Sequence, residues 1–360
     1  MDYTYTELLK YIDETQNIAT KALRQFDKNA VFRVIDSFDL GIPYDVERLA
    51  GGFPTGVYVQ WECKEPIIPV DTTVNCCTAS VFQLRENDKV DIEKFTEYLK
   101  KIKLTWKESS YIMNFDSGNH FITLCNDDCG RLYLIMHSSE KEFTKCYNGL
   151  YPIKGNWYYD KIKVFEYEGR YFRYIQGKTA VIFSKTAQSL NIYNEIRHEN
   201  IAYNLLSKIG ADWDSVAHYH HYGMDNSNAI KIGCYTVDRE SIFPVFTKPS
   251  YYIDLFKVEQ CSKVTPDNKL IVPHGWGKKV RSKFDIECNY SEKKLKVGDY
   301  TFDIFKNDTL YRCPEVEYRD YEENMRNAFY DCYKKQLRGE VVKQLKQIAC
   351  LSASGVQKYF

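Results

Sequence analysis

The chain has 360 residues, 44% hydrophobic and 27% charged, with Lys+Arg and Asp+Glu both at 49 and a formal net charge of +0. That length and apolar content supply a sizeable core in one large domain or two smaller ones, and the balanced charge excludes a bulk-basic nucleic-acid binder, leaving only local patches for such a contact. No apolar run reaches the roughly eighteen residues of a bilayer span, the opening MDYTYTELLKYIDE lacks the layout of a signal peptide, and the twelve cysteines follow no regular spacing, so a cytoplasmic protein with reduced thiols and no membrane partner is expected.

In chain order, Tyr5 to Phe26 has helical periodicity, with Leu8, Leu9, Ile12, Ile18 and Leu23 near one face. Val31 to Phe38 reads as a strand, Gly51-Gly52-Phe53-Pro54 as a turn, and GVYVQWEC as an alternating strand. EPIIPVDTTVNCCTASVFQL then sets the adjacent thiols Cys76 and Cys77 where the backbone bends into another strand. Asp91 to Ile102 is a short amphipathic helix, Trp157 to Phe183 reads as several strands around Gly169 and Gly177, and Ala187 to Ile209 as a helix. IKIGCYTV, IFPVF and YYIDLFKV continue the strand-rich pattern, and a long charged helix is expected over Tyr318 to Ile348.

The histidines carry the chemistry. FITLC and LYLIM flank NDDCG as a hairpin, with His120 opening the first strand and His137 closing the second. In an antiparallel pair these positions lie side by side, so the two imidazoles converge. Val216 to Tyr222 holds three histidines within four residues. On a strand His218 and His220 face one side and His221 the other, which gives one ligand and two supporting groups. IVPHGWGKKVRSK places His274 before two glycines and a basic cluster, an anion-facing arrangement. Cys76, His120, His137 and His221 together offer one thiolate and three imidazoles, a donor set that suits zinc, cobalt, iron or manganese. An unprotonated His274 beside a metal-bound phosphate is a competent nucleophile. The chemistry read from the residues is metal-dependent phosphoryl or nucleotidyl transfer. The plainer reading of the same residues is two capped strand ends, a buried cysteine and a solvated basic loop.

The series GGFPTGVYV, IIPVDTTVNCC, SGNHF, LIMHSS, YHHYG and PHGWGKKVRSK resembles, in order, the segments of RtcB-type RNA-splicing ligases, and CPEVEYRDYEENM with the final IAC extends the resemblance to Cys350. The resemblance implies a single large α/β domain with a sheet-built metal site and flanking helices over residues 51–352, with 1–50 as an extension of unknown role and 353–360 as a tail. It implies Cys76, His120, His137 and His221 as manganese ligands, His274 as the residue that takes up GMP from GTP, and Asn119, Gly275, Gly277 and Lys278 as nucleotide contacts. The implied partner is RNA with 3′-phosphate or 2′,3′-cyclic phosphate ends to be sealed to 5′-hydroxyl ends.

Departures from the family's pattern are specific. Thr73 stands where the family has an aspartate ligand, with Asp71 two residues away, and Thr123 follows GNHFI in place of an acid. Gly233-Cys234-Tyr235-Thr236 and Pro244-Val245-Phe246-Thr247-Lys248 replace two segments that hold the guanine nucleotide, and Ser352 stands where a lysine contacts guanine, with Lys358 in the tail. Two further readings are therefore carried beside the ligase: a metal-stabilised scaffold that binds RNA without joining it, and an unrelated metallohydrolase in which His274 is dispensable.

Overall fold

The computed structural model describes residues 3–86, 89–108, 115, 118–139, 149–246, 252–275, 277–318 and 336–359, with the side chains of 103–108 excluded. The elements that build the site are α1 (Tyr3–Leu23), β1 (Val31–Gly41), β2 (Thr55–Glu62), β3 (Thr78–Leu84), α2 (Ile92–Glu108), β4 (Phe121–Asn126), β5 (Leu132–Ser138), α3 (Lys178–Leu206), β6 (Trp213–His220), β7 (Ile242–Phe246), β8 (Ile253–Cys261), β9 (Leu270–Pro273), β10 (Leu337–Ser352) and β11 (Gly355–Lys358). The fold is mixed α/β and sheet-rich, as expected, and its largest sheet is curled and wholly antiparallel, in the order β7-β8-β10-β4-β5-β3-β6 with β11 added on β10. A second sheet of four strands joins β1 and β2 to Ala229–Ile232 and Tyr222–Asn226.

α1 is amphipathic because Leu8, Tyr11, Ile12, Thr15, Ile18, Ala19, Ala22 and Leu23 recur at helical spacing and are all buried. Against the core they share with Phe32, Trp61 and Phe172, each large apolar side chain contributes about 1.5–3 kcal/mol. Phe32 stacks on Trp61 at 6.1 Å and meets Phe172 edge-on at 5.6 Å. Residues 3–50 are thus woven into the body of the molecule: β1 is hydrogen-bonded to β2 from Val31↔Glu62 to Gly41↔Thr55. The tail is likewise engaged through residues 355–358, since β11 pairs with β10 and Lys358 forms an ion pair with Glu93 on α2.

Two expected elements change. Residues 337–348 of the expected charged C-terminal helix belong instead to the 16-residue strand β10, central in the sheet between β8 and β4; Tyr318 ends a short strand, Val316–Tyr318, and 319–335 lie outside the described residues. The run KTAVIF, expected as strand, opens α3, because Gly177 at φ 60 and ψ −139 breaks the line of the strand Arg170–Gln176 and gives its N–H to Pro66 O.

Candidate functional site

The site lies where strand ends of the large sheet meet the four-stranded sheet. Cys77 sits immediately before β3, His120 immediately before β4, His137 one residue from the end of β5, His221 immediately after β6 and His274 immediately after β9. The register aligns these ends: Phe121 faces His137, Ala79 faces His137, and Thr78 faces both Ser138 and His220. His221 is the hinge between the sheets, its N–H bonded to Cys77 O and its O accepting from Gly233 N and Cys234 N.

Four of the seven histidines form a row of rings. His120 and His137 have centroids 5.4 Å apart, His137 stacks on His221 at 4.9 Å, and His221 stacks on His274 at 5.1 Å with an interplanar angle of 20°. The thiol that joins them is Cys77, with Sγ 3.2 Å from His137 Nε2 and 3.8 Å from His120 Nε2. Cys77, His120 and His137 are buried, and their donor atoms all lie within 4.8 Å of one another, a group that can hold a metal ion. His137 Nε2 is also 3.0 Å from His221 Nε2.

Cys76, the expected thiolate, points elsewhere. It occupies the left-handed region at φ 50, and its Sγ lies 3.6 Å from Ala187 O of α3. Strand alternation then fixes the rest: Thr78 faces α3 and the residue before it faces the imidazoles. The nearby Asp71 is also directed away from the cluster, its carboxylate clamped by Arg173 together with Glu47. Thr73, at the position of the expected acid, accepts a 2.5 Å bond from Arg48 Nε.

The protonation states follow from geometry. Asn119 O can only accept, and His137 Nδ1 is 3.0 Å from it; Nδ1 therefore carries the proton and Nε2 presents a lone pair to Cys77 and His221. Burial and the neighbouring His120 hold His137 well below the ordinary imidazole range, and burial with His137 and His274 does the same to His221. Phe121, Phe246 and Tyr235 pack on these rings and keep the surroundings apolar. Neutral, oriented imidazoles are the state a divalent cation requires of its histidine ligands, and a thiol joins them by giving up its proton to the solvent on binding.

At the other end of the row, Asp39 fixes His274. Its Oδ2 lies 2.6 Å from His274 Nδ1 and also accepts the backbone N–H groups of His274 and Gly275 at 3.0 and 3.1 Å. In the neutral ring Nδ1–H therefore donates to the carboxylate and Nε2 carries the lone pair. Asp39 belongs to β1, 235 residues away in sequence, and no spacing in the sequence signals it. Gly275 is required here: at φ +106, a Cβ would lie 2.3 Å from Phe246 O.

The nucleotide contacts expected from the sequence are spread out. Asn119 is exposed at the rim, Gly275 and Gly277 are buried behind His274, and Lys278 is half-buried with Nζ 3.5 Å from the centre of the Tyr311 ring. Burial lowers the Lys278 ammonium to about 8.

The three remaining histidines lie on the opposite face, His198 on the buried side of α3 and His218 and His220 on β6 beneath it. His218 and His220 each run from a strand hydroxyl to a helix carboxylate: Ser80 Oγ to His218 Nδ1 (2.7 Å) and on to Glu199 (3.1 Å), and Thr78 Oγ1 to His220 Nδ1 (2.8 Å) and on to Glu195 (2.6 Å). His198 bridges Ser80 and Ser138 at 2.6 Å each, Arg197 donates to Ser138 Oγ at 2.7 Å and Ser139 O at 2.9 Å, and Asn194 donates to Ser138 O and Cys76 O at 3.1 and 3.3 Å. The alternation expected of the His-rich stretch holds, with His221 alone of its three histidines turned toward the cluster. No protein-family model and no curated protein matches the chain.

Proposed function

We propose that the chain is a metal-dependent RNA ligase that joins ends bearing a 3′-phosphate or 2′,3′-cyclic phosphate to 5′-hydroxyl ends through a nucleotidyl adduct on His274, with manganese and GTP as cofactors. The observation that carries this reading is the Asp39 clamp, which engages His274 Nδ1 and leaves Nε2 as the nitrogen for attack in a ring stacked on His221. In the first step Nε2 attacks the α-phosphorus of the triphosphate, the N–P bond forms, and the P–O bond to pyrophosphate breaks. Asp39 stabilises the positive charge that develops on the imidazole, as the acid of a catalytic triad does. An oxygen of the RNA 3′-phosphate then attacks the same phosphorus and releases His274. Finally the 5′-hydroxyl attacks the 3′-phosphorus, loses its proton and expels the mononucleotide; a cyclic phosphate is first opened by water. Manganese held by Cys77, His120, His137 and His221 would neutralise phosphate charge and make phosphorus more electrophilic.

The scaffold reading is supported by a different observation: neither Asp71, held by Arg173, nor Thr73, held by Arg48, adds a carboxylate to the Cys77-His120-His137 group. Incubation of a 5′-hydroxyl RNA with a second RNA ending in 2′,3′-cyclic phosphate, in the presence of manganese and GTP, separates the two. Ligase activity yields a joined product that His274→Ala abolishes, whereas a scaffold shifts the RNA in a binding assay and joins nothing.

A further inference from the structure

α3 presents an apolar stripe to solvent. Val181 is 40% exposed, Ile192 57%, Ile196 54% and Tyr203 65%, and at about 100° per residue all four fall within a narrow band along the helix. The 29 residues of α3 span about 43 Å. The opposite face is buried by Ala180, Phe183, Ala187, Leu190, Ile201 and Leu205, so the stripe points away from the core of its own chain.

The stripe is complementary to itself. About a two-fold axis through Ile192, antiparallel pairing sets Val181 of one copy against Tyr203 of the other, eleven residues to either side, and Ile196 against Gln188, four residues to either side. Seven residues to either side lie the exposed Lys185 and Glu199, which meet with opposite charge at both ends of the contact, Glu199 through the exposed part of a carboxylate whose Oε1 bonds His218. Beside Val181 is a groove of about 400 Å³ lined by Ile67, Ile68, Ala180, Val181, Lys185 and Gln188. Tyr203, 65% exposed, is the large side chain that the antiparallel arrangement brings toward this groove. The helix contact between Val181 and Tyr203 is about 33 Å long, with a tyrosine at each end.

We propose that α3 is the interface of a two-fold homodimer, centred on Ile192 and anchored by Tyr203 of each copy in the groove beside Val181 of the other. The interface is isologous, as two-fold symmetry requires, with aromatic anchors at its two ends and paired charges between.

Sedimentation velocity of the full chain across concentrations from about 1 to 200 µM, the range that reads micromolar self-association, tests the proposal. A concentration-dependent dimer is expected in the parent, and a monomer in Ile192→Asp, which sets two carboxylates face to face on the axis. Lys185→Glu is expected to weaken the dimer and the double variant Lys185→Glu with Glu199→Lys to restore it, which separates loss of the interface from loss of the fold. A parent that stays monomeric throughout overturns the proposal. A dimer that survives both Ile192→Asp and Lys185→Glu overturns it equally, because association then uses another surface.

Discussion

One residue of register separates Cys76 from Cys77, and it decides which thiol meets the imidazoles. The left-handed backbone at Cys76 sends its side chain under α3, and the start of β3 sends Cys77 toward His137. Cys77→Ala is therefore expected to lower manganese or zinc affinity about 10–100-fold, in line with losses at metal-supporting positions, whereas Cys76→Ala leaves metal loading unchanged. Metal content after dialysis against graded free metal, measured by mass spectrometry, reads both. The histidine positions were legible in the sequence because strand ends and strand alternation dictate them. The choice between adjacent cysteines depends on a local positive φ, and Asp39 on a contact across 235 residues; neither leaves a mark in composition or spacing.

At the scale of elements, α3 supports the strands that carry the Cys77-His120-His137 group from behind. Asn194, Arg197 and His198 lie at the middle of its buried face and bond Cys76 O and Ser138, each beside a residue of the cluster, and Ser139 O, one residue further. Arg197→Leu leaves Ser139 O without this donor and is expected to destabilise the fold by about 1–3 kcal/mol and to weaken metal binding through displacement of His137. Denaturant unfolding of the metal-free chain checks the first effect and metal titration the second. α3 itself was only partly legible, since the β-branched run at its start imitates a strand. β10 was hidden by the reverse effect: Leu337, Val341, Leu345 and Ile348 recur at helical spacing among charged residues. The structure reconciles that spacing with a strand through register shifts near Leu255/Phe256, Val258/Gln260 and Gln347/Ala349, which break the two-residue period. Pairing with β8 and β4 overrides the local preference.

Across the whole molecule, burial of neutral imidazoles ties stability to pH. His137, His198 and His221 are held well below their ordinary value of 6.5, chiefly by burial. Their contribution to stability is full above that unfolded value and is lost as pH falls below it, because the unfolded chain takes up protons that the folded chain refuses. Each such imidazole adds a slope of about 1.4 kcal/mol per pH unit. Thermal unfolding in the presence of a chelator is expected to show Tm falling steeply from pH 6.5 toward 5, and His198→Gln, behind the cluster, is expected to flatten that fall. A flat Tm over this range contradicts the assignment of these rings as buried and neutral.

The central claim is that the fold brings a clamped nucleophilic imidazole against a metal-binding row. Incubation with labelled GTP and manganese, followed by denaturing electrophoresis, tests it most directly. The label is predicted to stay with the parent chain, to disappear with His274→Ala, and to fall about 10²-fold or more in initial rate with Asp39→Asn, which loses the anion that fixes the reactive tautomer. No retained label from GTP or any other nucleoside triphosphate, in a chain that binds manganese stoichiometrically, would contradict it.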